Sequence, residues 1–228
     1  MINSIRKKLA ALLYPLDAKE LLKKYLPISP IYGLDRGQSV DRWYIEQFMK
    51  TNQADIRGIC LEILDRNYTK KYGGHKVTRS QILDIDRDNR DADIYGDLRN
   101  LKGKIKSNTY DCIILTQVLQ YIDDPILAIQ ECYRILKPKG VLLATMPTIC
   151  RIDPVAGDAG DYWRFTRSGS MYLFSRVFRP LNIQVEPLGN ILTGIGFWLG
   201  LSQSDYKRAD FLYQDHNFPC LITVRAVK

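Results

Sequence analysis

Two short apolar runs, 112–115 and 141–144, bracket a segment in which Ile126, Ile129, Cys132, Tyr133 and Leu136 recur at three- and four-residue steps. The runs are too brief for helices and suit strands buried on both faces. The segment between them has one apolar helix face. Pro125 belongs in the first turn of that helix, and Pro138 with Gly140 stops it in a tight turn. A strand, a helix and a second parallel strand cross over right-handedly, so the loops after both strands lie at one sheet edge. Ligands of open α/β sheets bind at that edge.

The patterning extends in both directions. Residues 59–63, 81–85 and 92–95 read as the first three strands, with only a brief connection between the second and third, and 183–188 and 221–227 read as the last two. Residues 40–49 form a helix with Trp43, Tyr44 and Phe48 for packing, 168–178 form another, and 191–201 a helix or lid. Loops run over 27–37 and 147–160. In 1–26, Ile5, Leu9, Leu12, Leu13 and Leu16 share a helix face that Pro15 kinks or divides. That face either docks on the protein's own surface or meets a partner or an anionic bilayer. The chain thus divides into an amino-terminal helical segment and cap, 1–50, and one domain over 51–228.

Composition narrows the class. With 228 residues, 46% hydrophobic and 25% charged, the chain can bury one good-sized core, and no apolar run has the length of a membrane span. The five cysteines are scattered without metal-ligand spacing, which fits a reducing cytoplasm and no metal. Only 9–13 follow the basic first residues before polar ones return, too little for a cleaved signal peptide. The net charge of +8 admits nucleic acid, an anionic membrane surface or an anionic substrate. Neither basic cluster, Arg99 to Lys106 or Arg6 to Lys24, carries the aromatic interleaving of single-strand binding.

Tyr110-Asp111 opening an apolar strand, and Leu136-Lys137-Pro138-x-Gly140 before the next, resemble the fourth and fifth strands of class I S-adenosylmethionine-dependent methyltransferases. The resemblance runs from about Tyr32 to the last residue. It implies a Rossmann-like α/β fold with a seven-stranded sheet, mostly parallel with an antiparallel final strand and helices on both faces. Arg57-Gly58, Asn67-Tyr68-Thr69, Gly73-Gly74 and Val77-Thr78-Arg79-Ser80 are similar to a bacterial subgroup of this family associated with glycan biosynthesis, which uses a variant first loop.

The resemblance also implies a cofactor site for S-adenosylmethionine. Glu62 ends the first strand and would interact with the methionine end. The glycine-rich turn that normally follows is replaced by Leu64, Asp65, Arg66, Asn67 and Tyr68, with Leu64 where the subgroup keeps one glycine. Glycines there let the main chain approach the ligand; Asp65 and its neighbours would supply polar contacts instead. A carboxylate at the end of the second strand accepts from both ribose hydroxyls, a role for Asp86, with Asp84 in reserve. Asp97 would accept from the adenine amine while Leu98 covers the ring, and Thr116 and Gln117 would lie beside the methyl group. Each aspartate has a competing use as a helix or turn cap. Arg36, Arg42 and Tyr44, in a segment like the subgroup's amino-terminal signature, are candidates for the cofactor carboxylate, or for salt bridges within their own layer.

On the acceptor side, Gly160 to Thr166 resembles a subgroup segment that faces the substrate. Trp163 and Phe165 would anchor it, Tyr162 would line the pocket, and Arg164 would bind an anionic group or pair with Asp161. A hydroxyl acceptor needs its proton removed; His216 is the first candidate by its ordinary pKa, and Asp161 the second. Thr116-Gln117-Val118-Leu119 lacks the Asn/Asp-Pro-Pro-aromatic motif of methyltransferases that act on planar amines. The expectation is O-methylation of a sugar, a glycan precursor or a related small molecule. The alternatives are a catalytically inactive scaffold of the same fold and an RNA methyltransferase.

Overall fold

The computed structural model describes residues 26–153, 156 and 160–228. All but Leu26 of the amphipathic segment expected over 1–26 lies outside the described residues, as do parts of the loop 147–160. Strands β1 (Gly58–Ile63), β2 (Val77–Asp84), β3 (Ile94–Tyr95), β4 (Tyr110–Thr116), β5 (Leu136–Pro147), β6 (Ile183–Leu188) and β7 (Leu221–Val227) form one sheet in the order β3-β2-β1-β4-β5-β7-β6. Pairings from β3 through β5 are parallel, and β7 runs antiparallel between β5 and β6. This is the expected seven-stranded, Rossmann-like arrangement. Helices α1 (Val40–Thr51), α2 (Pro125–Ile135), α3 (Arg167–Ser175), α4 (Ile191–Leu199) and α5 (Arg208–Leu212) surround it.

Alternation along the central strands sorts side chains between two cores. Ile113 and Leu115 of β4 join Ile129 of α2 and Phe174 of α3 on one face. Cys112 and Ile114 join Tyr44, Ile45 and Met49 of α1 on the other. Among the described residues no helix is long and apolar enough to cross a membrane.

The motif at the start of β4 has a physical reason. Asp111 accepts the Ile59 N–H at 2.8 Å and the Lys137 ammonium at 2.7 Å, so one carboxylate ties the beginnings of β1, β4 and β5 together. Gly58 sits opposite it at φ 66°, and a Cβ there would lie 2.4 Å from the Asp111 carboxylate. Lys139 at φ 67° makes the Pro-Lys-Gly turn, but pairing of Tyr110 with Leu136 carries β5 back through it. The strand is therefore longer than the apolar run 141–144.

Other boundaries also differ from expectation, those of β2 and β3 most. Strand β2 starts at Val77, because parallel pairing with β1 recruits the polar stretch 77–81, and it ends at Asp84. Ile85 belongs to no strand and is 69% exposed. Strand β3 is two residues long, pairing Leu83 with Ile94 and Asp84 with Tyr95. The segment expected as helix or lid is a helix: Asn190 caps its first turn through the Thr193 N–H, and Gly200 at φ 80° ends it.

Candidate active site

The order of strands reverses at β1, between β2 and β4, and the crevice outside their carboxyl ends is a cavity of about 480 Å³. Such a volume is ordinary for a small-molecule site. Leu64 and Asp65 line it after β1, Asp84 and Ile85 at the end of β2, and Gly96, Asp97 and Leu98 after β3. Thr116, Gln117 and Val118 follow β4, Tyr121 and Ile122 come from the next turn, Arg42 reaches in from α1 and Asp153 from the loop after β5.

Glu62 does not line the cavity. It is 1% exposed, and its carboxylate accepts the N–H groups of Tyr68 at 3.0 Å and Thr69 at 2.8 Å. These bonds anchor the loop that leads into a five-residue π turn, Thr69–Gly73. Burial pushes the Glu62 carboxyl up to about 7, with the two N–H donors opposing the shift. Leu64 occupies the left-handed region at φ 75°, the conformation that a glycine would take without cost. Its side chain is 62% exposed and forms part of the cavity wall rather than a core contact. Asp65 accepts from the Asn67 backbone and side chain, both at 2.8 Å.

At the second strand end Asp84 lines the cavity and Asp86 does not. Asp84 is 6% exposed and accepts from the Asp86 N–H at 2.9 Å and the Asn89 amide at 2.6 Å, while lining the cavity. Asp86 is an exposed turn residue that caps the Asp88 N–H at 2.9 Å. The preference for Asp86 followed from reading apolar Ile85 as the end of the strand; instead Ile85 is an exposed apolar wall of the cavity. Asp97 is paired with Arg99 at 2.6 Å, which holds its carboxyl below the usual range, and Arg99 also reaches Asp123. Leu98 is buried beside it.

Four other candidates are not brought to the cavity. Arg36 pairs with Asp205 at 2.7 Å and fastens the loop before α1 to the turn after α4. Tyr44 is 1% exposed in the core, donating its hydroxyl to Thr193 at 2.9 Å. His216 is exposed in the turn before β7, where Asp215 N–H bonds the Gly189 carbonyl at 2.8 Å, and it lines neither the cavity nor the compartment beside it. The Asp161 side chain is 2% exposed and locked in a two-point pair with Arg164 at 2.5 and 2.8 Å. It also accepts the Asp153 N–H at 2.9 Å, and Arg164 holds its carboxyl below the usual range, so it is spent as a clamp.

Tyr162 and Arg164 also lie away from the crevice. Tyr162 is 50% exposed and donates its N–H to the Gln120 carbonyl at 2.8 Å, and Arg164 donates to the Arg151 carbonyl at 2.8 Å. Phe165 is buried as expected. Trp163 is 42% exposed, because its indole N–H is held at the surface by the Ile122 carbonyl.

A compartment of about 160 Å³ adjoins the cavity and shares Arg42, Gln117 and Tyr121 with it. Its other walls include Tyr32, Ser39, Asp41 and Gln120. Sequence reasoning passed over Asp41 and Gln120, since an acidic residue in a helix's first turn usually serves that helix. Asp41 accepts from the Ser39 hydroxyl, and burial raises its carboxyl above the ordinary carboxylate range. Burial likewise pushes the Tyr32 hydroxyl up to about 12.

Residues 57–144 match the model of a family described as a methyltransferase domain. No curated protein matches the chain. A SAM-dependent methyltransferase from Archaeoglobus fulgidus is similar over 83% of this chain and 95% of its own, at 13% identity and a TM-score of 0.55. An S-adenosylmethionine-dependent methyltransferase from Mesorhizobium loti is similar over 83% of this chain and 100% of its own, at 13% identity and a TM-score of 0.56. The chain shares the fold of these methyltransferases, and the methyltransferase-domain match covers its residues 57–144.

Proposed function

We propose that this chain is an S-adenosylmethionine-dependent methyltransferase that methylates a hydroxyl of a sugar, a glycan precursor or a related small molecule. The observation that carries the reading is the convergence of Asp84, Asp97 with Leu98, and Thr116 with Gln117 on one cavity from the ends of successive strands. Asp84 would accept from both ribose hydroxyls, Ile85 and Leu98 would flank adenine, and Asp97 would accept from its amine. Asp65, Thr116 and Gln117 would meet the methionine end, with Glu62 acting through the loop it anchors. The wall formed by Leu64 is compatible with this occupant, since its side chain is 62% exposed and the cavity it lines keeps about 480 Å³ open.

When bound, the cofactor supplies a methyl group already activated on a sulfonium. The chain's own share is to align the acceptor, exclude water and take up its proton. The absence of an Asn/Asp-Pro-Pro-aromatic motif at 116–119 argues against a planar amine acceptor, and the subgroup resemblance argues for a glycan. The test is calorimetry with S-adenosylhomocysteine, followed by transfer of labelled methyl to monosaccharides and nucleotide sugars. Micromolar cofactor binding with an O-methyl product supports the proposal. No binding at millimolar ligand, or transfer to nitrogen alone, overturns it.

A further inference from the structure

We infer that the compartment beside the cofactor cavity is the acceptor subsite, that it takes the hydroxyl-bearing edge of a compact polyol or sugar ring, and that Asp41 receives the proton of the hydroxyl being methylated. This rests on the O-methylation reading above and specifies the site at which it occurs.

Position is the first argument. Arg42, Gln117 and Tyr121 are walls of both spaces, so a group held in the compartment lies next to whatever fills the end of the cavity after β4. Gln117 leaves that strand at φ 53°, and this sharp turn forms the boundary between the two.

The second argument is an unanswered hydrogen-bonding demand. Gln120 is 4% exposed, and its amide nitrogen is committed to the Gln117 carbonyl at 2.9 Å. Its Oε1 is buried without a hydrogen-bond partner, a state costing about 1–3 kcal/mol when nothing fills it. Gln120 lines the compartment, so a ligand donor entering there would answer that oxygen. Asp41, 9% exposed, accepts from Ser39 and keeps further lone pairs. Two acceptor-bearing residues lining one small space would favour a group with two donors, which adjacent hydroxyls provide and which an ether or a ketone does not.

Size is the third. About 160 Å³ corresponds to roughly five waters' share of liquid volume, which suits one edge of a sugar ring. In the transfer, the acceptor hydroxyl's proton passes to the Asp41 carboxylate and its oxygen bonds to the methyl carbon. The carbon–sulfur bond breaks with its electron pair left on sulfur, so carboxylate and sulfonium become carboxylic acid and thioether. The buried position of Asp41 raises its proton affinity in the direction that makes it a better base.

The test uses the full chain, ¹⁵N-labelled, with D-glucose, D-mannose and N-acetyl-D-glucosamine as probes, with and without S-adenosylhomocysteine. We expect at least one sugar to shift the Gln120 side-chain amide and the backbone amides of Asp41 and Gln120. Gln120→Leu should weaken that binding about tenfold. Asp41→Asn should lower methyl transfer to the same sugar about a hundredfold or more. Both variants should keep wild-type affinity for S-adenosylhomocysteine, which shows that they are folded. Sugar-induced shifts confined to another surface, such as that around Trp163, would overturn the subsite, as would variants with unchanged binding and turnover. Either of those results leaves O-methylation standing. A wild-type chain that binds S-adenosylhomocysteine but neither binds nor methylates any of the sugars overturns both.

Discussion

The Glu62 carboxylate receives the Thr69 N–H at 2.8 Å, and with the Tyr68 N–H at 3.0 Å this fixes the far end of the loop that begins at Leu64. The loop is thus held by a buried carboxyl group.

That arrangement makes stability pH-dependent in a defined direction. Glu62 is raised from 4.5 to about 7 in the folded chain, so folding favours its protonated form. The stability it contributes is fully present below pH 4.5 and is lost as pH rises through about 7, a span worth on the order of 3 kcal/mol at most. Glu62→Gln should abolish this fall. Its single amide oxygen leaves one N–H unanswered, so the variant should be about 1–3 kcal/mol less stable at pH 5 and closer to wild type at pH 8. Urea unfolding across that pH range checks both the slope and its sign.

Leu64 carries the same argument into the backbone. At φ 75° a non-glycine residue is strained by about 1–2 kcal/mol, and a β-branched residue is worse placed still. Leu64→Gly relieves the strain while adding freedom to the unfolded chain, so its stability should stay within about 1 kcal/mol of wild type. Leu64→Ile should lose about 1–2 kcal/mol, although it keeps the side chain's volume. A Leu64→Ile melting temperature equal to wild type would show that the loop does not hold this conformation in solution.

Why some of this was legible in the sequence and some was not follows from the range of the interactions involved. The unit from Tyr110 to Gly140 could be read because its determinants are local: period-two and helical apolar spacing, a Pro at each helix boundary, and Asp111 bonded to the start of the next strand. The end of β2 could not, because it is set by pairing with β1 and β3; hydropathy alone continued the strand through Ile85 and favoured a carboxylate two residues beyond the one that lines the cavity. Tyr44 and Arg36 looked available because their partners, Thr193 and Asp205, are more than 140 residues away in the chain. Gln120 carried no local signal, since what marks it is a missing partner.

Asp84 and Asp86 separate cleanly in a binding experiment. Asp84 faces the cavity with its carboxylate oriented by two donors, whereas Asp86 faces solvent and caps a turn. Replacing a carboxylate that accepts from two ligand hydroxyls costs about 1.5–3 kcal/mol, so Asp84→Asn should weaken S-adenosylhomocysteine at least about tenfold. Asp86→Asn should leave it within about twofold. Calorimetry on both variants, with melting temperatures as the control for folding, distinguishes them; equal losses would return Asp86 to the site.

Asp161 and His216 complete the set, since both were candidates for the base and the structure removes both from the crevice. Asp161 and Arg164 form a pair in which the carboxylate is 2% exposed and the guanidinium side chain 25%. Truncating one partner of such a pair leaves the other poorly solvated, so Asp161→Asn should cost about 2–3 kcal/mol. Because Arg164 lowers the Asp161 pKa, the stability this carboxylate contributes is present above its unfolded value, near 3.8, and is lost as pH falls through the folded one. The gap between wild type and Asp161→Asn should therefore narrow in acid, the reverse of the Glu62 pattern. Turnover per folded molecule should survive in Asp161→Asn below its melting transition, and His216→Ala should transfer methyl at a rate within about twofold of wild type. A drop of about a hundredfold in either, with cofactor affinity intact, is what loss of a general base would produce, and it would require that residue to reach the acceptor in a conformation other than the one described here.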